Sequence, residues 1–262
     1  MNKKWQYIEN DIELAKKISQ KYGIGMLTAG VLANKNLTDE ELKIFLEPTR
    51  DNFYDPFLLP DMEKAVDRII KGIESKEKIL IFGDYDVDGI TSTTVLKKFL
   101  EERGLDVGYY IPNRLKQGYG LNKEAIKQIV DQGNTLMITV DCGISGIEDV
   151  EYANSLGIDT IITDHHEPLD ILPKAISVID PKIESSKYPF RELAGVGVVF
   201  KVIQALSMKL GLDAKEYLKY LDLVCLGTIS DIVPLVDENR VITKLGLKLI
   251  ETHRNTRIKG FD

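Results

Sequence analysis

The chain has 262 residues, 44% hydrophobic and 29% charged, an ordinary globular composition with enough length to bury a sizeable core. A net charge of −7 and a pI near 5.2 argue against a protein that coats nucleic acid without specificity, although a nuclease, which needs acids for metal, stays open. No charge-free apolar run is long enough to span a bilayer, and Cys142 and Cys225, far apart and without CxxC spacing, suit a reducing cytoplasm rather than a disulfide framework.

The opening residues carry charges that interrupt any apolar h-region, so no signal peptide is expected. Residues 1–60 read as a helical leader. Ile12, Leu14, Ala15 and Ile18 form one amphipathic run, and Thr38 ahead of Glu40 and Glu41 signals the N-cap of a helix over Glu40–Leu46. A proline-containing link, Glu47–Pro60, leads to a second helical pattern over Met62–Ser75. Residues 61–240 then form the expected main domain, and 241–262 the start of a connecting helix.

Within that domain the chain alternates. Ile79–Phe82 is a predicted buried strand that runs into Gly83 and then Asp84, Asp86 and Asp88, with Gly89 closing the turn and a helix over Thr91–Leu100. Strands are expected at Val107–Ile111, Thr135–Val140, Thr160–Thr163 and Ala175–Ile179, and helices at Lys123–Gln132, capped by Asn122, and at Ile147–Leu156. Helices follow at Gly197–Leu210, Lys215–Gly227 and Lys244–Thr252. This alternation predicts an α/β fold: a mostly parallel, doubly wound sheet with a helical N-terminal leader and a helical C-terminal portion.

Crowded carboxylates at Asp84, Asp86 and Asp88 repel one another and lose hydration, which is costly unless a cation binds them. A solvated acidic loop is the plain alternative. An EF-hand is a poor match, because the position that should carry the bidentate glutamate is Val95 and a strand, not a helix, precedes the loop. Position carries more weight than any one motif. Three apolar strands end in Asp84, in Asp141 and in Asp164-His165-His166, and the carboxyl ends of parallel strands share a crevice. Each aspartate alone also reads as a cap or turn residue. Carboxylates with imidazoles and no converging thiolates suit Mn²⁺ or Mg²⁺, with imidazole favouring Mn²⁺. Asp231, in Ser230-Asp231-Ile232-Val233-Pro234, lies at a helix end where an acid is electrostatically disfavoured without a compensating cation.

Anion handling has further candidates. Arg114 follows a strand in Pro112–Gly120, Gly195 and Gly197 precede a helix whose N–H groups suit an anion, and Lys244–Lys259 is either a basic strip or an exposed helix face.

GDYDVDG at 83–89, VDCG at 140–143, TDHH at 163–166 and SDIVPL at 230–235 resemble the successive motifs of the DHH phosphoesterase superfamily. IPNRLKQGYGLN at 111–122 and LAGVGVVFK at 193–201 resemble its single-strand-specific DNA exonuclease branch. The resemblance implies a hydrolase of DNA repair and recombination that acts on single-stranded DNA in the 5′ to 3′ direction. It also implies two Mn²⁺ ions, with Mg²⁺ the alternative, and a single-strand-binding protein and a helicase as candidate partners. Asp86 and Asp141 would hold one ion, and Asp88, Asp141, His165 and Asp231 the other. Asp84 and His166 would be supporting catalytic or phosphate-proximal groups, and Arg114, Gly195 and Gly197 would contact substrate phosphates. Such ions would activate water without a side-chain nucleophile. Members of that branch also carry a second phosphate-binding domain and an OB-fold, and nothing after Asp231 resembles either, so a truncated catalytic core is expected. The competing expectations are a phosphodiesterase for oligoribonucleotides or cyclic dinucleotides, and a non-catalytic scaffold of the same fold.

Overall fold

The computed structural model describes Glu9, residues 11–113 and residues 120–252. It divides into two compact units, Met1–Pro48 and Thr49–Asp262. In the first, α1 (Ile12–Tyr22), α2 (Met26–Ala33) and α3 (Asp39–Leu46) enclose a small core of Ala15, Ile18, Ala29, Leu32, Ala33 and Leu42. A capping box starts α3: Thr38 Oγ1 accepts the Glu41 amide and Glu41 Oε2 accepts the Thr38 amide, satisfying donors that a helix N-terminus leaves unpaired.

The second unit is built on β1 (Ile79–Gly83), β2 (Val107–Tyr110), β3 (Leu136–Val140), β4 (Asp159–Thr163) and β5 (Ser177–Ile179). All the pairings are parallel, in the order β2-β1-β3-β4-β5. Side chains alternate across the sheet. Ile79, Ile81, Ile138, Val140 and Ile161 join one core, with α4 (Met62–Ser75), α5 (Val87–Glu101), α8 (Gly195–Lys209) and α10 (Leu221–Ser230). Leu80, Phe82, Met137 and Ile162 join another, with α6 (Lys123–Asp131) and α7 (Ile147–Ser155). The sheet is thus covered on both faces, as the alternation of elements predicts, and is wholly parallel among the described residues.

Strand order reverses between β1 and β3, the place where ligands bind in open α/β sheets. The register there is level. Gly83 pairs with Val140, Val140 with Thr163, and Thr163 with Ile179. The residues that follow, Asp84, Asp141, Asp164 and Asp180, therefore form a row of acids along four adjacent strand ends.

Several boundaries differ from the sequence reading by one or two residues, and three helices differ by more. The helix after β1 starts at Val87, not Thr91, because the Asp86 side chain caps it by accepting the Gly89 amide at 2.9 Å. The helix expected over 215–227 is divided into α9 (Lys215–Leu218) and α10, where an i to i+3 turn from the Tyr220 amide to the Tyr217 carbonyl tightens the chain. The last helix, α11, starts at Asp237 rather than Lys244, with Asp237 and Glu238 in its first turn, where acids complement the helix dipole. The link before Pro60 is ordered: Phe53 packs its ring 5.1 Å from that of Phe200.

Candidate metal centre

Asp141 follows β3 in the left-handed region, at φ 59°, which is uncommon for a residue with a Cβ and recurs at functional sites. Asp88 sits in the first turn of α5 and is buried. Its carboxylate accepts the backbone N–H of Gly195 at 2.7 Å and of Val196 at 2.8 Å. His165 Nε2 lies 3.1 Å from Asp141 Oδ1, 3.7 Å from Asp231 Oδ2 and 3.9 Å from Asp88 Oδ2. Asp231 arrives from the end of α10 as its C-cap. The topology thus brings together Asp84, Asp86, Asp88, Asp141, His165, His166 and Asp231 from β1, α5, β3, β4 and α10.

Among the described residues three overlapping clusters emerge, each with ligand atoms within 4.8 Å of one another: Asp84, Asp86 and Asp141; Asp88, His165 and Asp231; and Asp141, His165 and His166. Asp141 and His165 are shared between clusters. Beside them Asp86, Val87, Asp88, Ser230 and Asp231 line a cleft of about 170 Å³.

Electrostatics explain why these acids need a counter-charge. Burial, then repulsion from Asp86 and Asp164, pushes Asp141 up to about 9. Burial and the Asp141 charge push Asp88 up to about 8. Asp84 and Asp231 are also raised, chiefly by burial. Within the clusters, His165 Nε2 and Asp84 Oδ1 are buried with no hydrogen-bond partner among the described residues. Orphaned acceptors amid crowded carboxylates fit a bound divalent cation, and the oxygen and imidazole donor set suits Mn²⁺ or Mg²⁺. Both cysteines are free and buried, and neither belongs to a cluster.

Asp164 behaves differently from its neighbours. Burial pushes its carboxyl up, but the His166 hydrogen bond and charge, with the Ile144 and His165 amides, hold it below the ordinary carboxylate range. Oδ1 lies 2.7 Å from His166 Nδ1 and Oδ2 accepts the Ile144 amide at 2.9 Å. The Asp164 hydrogen bond in turn raises His166 to about 9. Asp164 is thus an orienting anion, a role that its place beside two histidines could have suggested.

Two glycines allow the close approaches. A Cβ on Gly195 would lie 2.5 Å from Asp141 Oδ1, and one on Gly89 would lie 2.5 Å from the Asp84 carbonyl oxygen. The amides of Gly195 and Val196 donate to Asp88, and Gly197 is buried, with the Leu193 side chain where a Cβ would lie. Arg114 lies outside the described residues, as do Arg254, Arg257 and Lys259 of the basic strip.

Comparison with known proteins shows the family. The profile of the DHH family, N-terminal domain, matches residues 78–228. The chain is 43% identical over 253 residues to the single-stranded-DNA-specific exonuclease RecJ of Bacillus subtilis (strain 168), covering 96% of this chain and 31% of the relative. Among solved structures, exonuclease RecJ bound to manganese is similar at 34% identity with a TM-score of 0.67, over 72% of this chain and 48% of that one. RecJ of Thermus thermophilus in complex with Mn²⁺ is similar at 28% identity with a TM-score of 0.70, over 90% of this chain and 33% of that one. The chain spans about a third of the length of the curated relatives it matches.

Proposed function

Because the chain belongs to the DHH family, we propose that it is the catalytic portion of a metal-dependent phosphodiesterase that digests single-stranded DNA from the 5′ end, in DNA repair and recombination in the cytoplasm. The observation that carries this reading is the convergence of seven acids and imidazoles on the strand ends around Asp141. The names of the relatives, single-stranded-DNA-specific exonucleases, support the substrate. A single-strand-binding protein and a helicase are the proposed protein partners.

Two ions are proposed, with Mn²⁺ preferred and Mg²⁺ the alternative. Asp86 and Asp141 would hold one, joined by Asp84, whose carboxylate lies in the same cluster. Asp88, His165 and Asp231 would hold the other, with Asp141 shared. Such ions supply Lewis acidity toward a phosphoryl oxygen and lower the pKa of bound water. The chain's own part is to fix the donors: Gly195 and Val196 hold Asp88, and Asp164 orients His166. His166, held cationic by Asp164, would face the substrate phosphate, and Arg114 is proposed to add a guanidinium.

The test is digestion of a 5′-labelled single strand against duplex DNA, oligoribonucleotide and cyclic dinucleotide, in Mn²⁺ and in chelator. Loss of the single strand alone, stopped by chelator and by Asp141→Ala, is expected. Cleavage of the dinucleotide only would move the reading to the small-substrate phosphodiesterases. Absence of both hydrolysis and Mn²⁺ binding would favour a scaffold.

A further inference from the structure

A groove of about 420 Å³ runs along the outer face of α5, between that helix and the edge strand β2. Ile90, Thr94, Lys97 and Lys98 line it from the helix, Tyr109 and Ile111 from the strand side. Its volume falls in the range of small-molecule sites. Two of its apolar side chains face solvent: Ile90 is 45% exposed and Tyr109 60% exposed.

The groove adjoins the metal centre. The amide of Ile90 donates to the carbonyl of Asp86 at 2.9 Å, in the first turn of the helix that carries Asp88. Val87, which lines the acidic cleft, and Ile90, which lines the groove, are three residues apart on α5 and so are neighbours on its surface. At the strand side, Tyr110 pairs in register with Phe82, two residues before Asp84. A polymer with one phosphate in the cleft, extending along α5 toward β2, would meet this groove next.

The chemistry of the lining selects what enters. Tyr109 presents an exposed aromatic ring on a rigid strand, and Lys97 sits 5.9 Å from its centroid, held in place by Glu101 at 2.6 Å and by the Val107 carbonyl. An aromatic ring, an aliphatic wall and two ammonium groups, one of them over the ring, match a nucleobase with its sugar-phosphate. Stacking of that kind is indifferent to base identity because every base has a π-face.

We propose that this groove is a nucleobase subsite, in which Tyr109 and Ile90 receive an unstacked base beside the phosphate to be cleaved. The proposal rests on the single-strand reading above. A duplex, whose bases stay stacked on one another, cannot fill the subsite, so the groove adds selection for single strands to the chemistry of the acids.

The test compares KM of the full chain in Mn²⁺ on two single strands, one normal and one abasic at its three terminal nucleotides. The wild-type chain should bind the normal strand better by roughly 5- to 100-fold, the range one base–aromatic stack supplies. Tyr109→Ala should abolish that preference and Tyr109→Phe, which keeps the ring, should retain it. Equal preference in wild type and Tyr109→Ala, on a strand the wild type digests, would overturn the subsite alone. A wild-type chain that hydrolyses a small chromogenic phosphodiester but no oligonucleotide would overturn the single-strand reading and the subsite with it.

Discussion

The carboxylate of Asp88 accepts the backbone N–H of Gly195 across a sequence gap of 107 residues. That bond ties the first turn of α5 to the first turn of α8. It puts a helix N-terminus, an electropositive group, behind an acid that Asp141 and Asp231 repel. The same glycine faces Asp141, so one residue shapes the surroundings of two proposed ligands.

Gly195→Ala should therefore weaken metal binding more than its size suggests. The new Cβ would approach Asp141 Oδ1 to 2.5 Å and its Cβ to 2.7 Å, so either Asp141 or α8 must shift. Overpacking of this kind costs about 1–3 kcal/mol. Titration of Mn²⁺, followed by the EPR signal of the free ion, should show a loss of affinity of about tenfold or more. Unchanged affinity would mean that α8 yields without moving Asp141.

Asp164→Asn tests the orienting role. The amide keeps the shape but lacks the charge that holds His166 cationic, so His166 should fall from about 9 toward the ordinary histidine value near 6.5. With three histidines in the chain, their ring proton resonances can be followed through a pH titration by NMR. Activity should drop about 10- to 100-fold, as for other residues that orient ligands from behind. A His166 titration unaltered from wild type would remove Asp164 from this role.

The fold was legible because apolar runs end in acids at intervals set by βαβ units, and the doubly wound parallel sheet follows from that pattern. Asp84, Asp86, Asp88, Asp141, His165 and His166 were legible for the same reason, and Asp231 from its place at a helix end before Pro234. Asp180 was not singled out, although it ends β5 just as Asp84 ends β1, because Asp-Pro reads as a turn and no histidine follows it. The Asp88–Gly195 bond was hidden since it joins distant segments and glycines before a helix suggest an anion of any origin. Lys201 and Glu238 belong to runs that pattern reading leaves at the surface, yet both side chains are fully buried. Only the packing of α8 against α11 and the Phe53–Tyr54 segment reveals that pair.

Lys201 and Glu238 meet at 2.8 Å with neither exposed. Lys201 also donates to the Tyr54 carbonyl at 2.7 Å, and Glu238 accepts from the Tyr54 amide and the Tyr188 hydroxyl. Both groups are hydrogen-bonded, so the pair clamps four segments instead of leaving buried charges bare. Lys201→Met should cost about 3–5 kcal/mol, because it strands a buried carboxylate. Adding Glu238→Leu should restore part of the loss. Chemical denaturation of the single and double variants measures this, and additive losses would show that the two groups act independently.

Asp180 gives the stability of the metal-free chain a pH dependence. It is buried, its Oδ2 has no hydrogen-bond partner, and burial pushes its carboxyl up to about 7 despite the Lys182 amide that Oδ1 accepts. Its folded pKa thus exceeds the unfolded value near 3.9, so the folded state binds the proton more tightly. Stability from this residue is intact below about pH 4, falls as pH rises and levels off above about pH 7. Between pH 5 and 7 the fall amounts to on the order of 2–3 kcal/mol. Asp141 and Asp88, raised to about 9 and about 8, tilt the metal-free chain in the same direction, so the comparison must be with a variant. Asp180→Asn cannot ionise, and its urea midpoint in chelator should decline less from pH 5 to pH 8 than that of the wild type. Parallel declines in the two chains would show that Asp180 is already solvated or paired in solution.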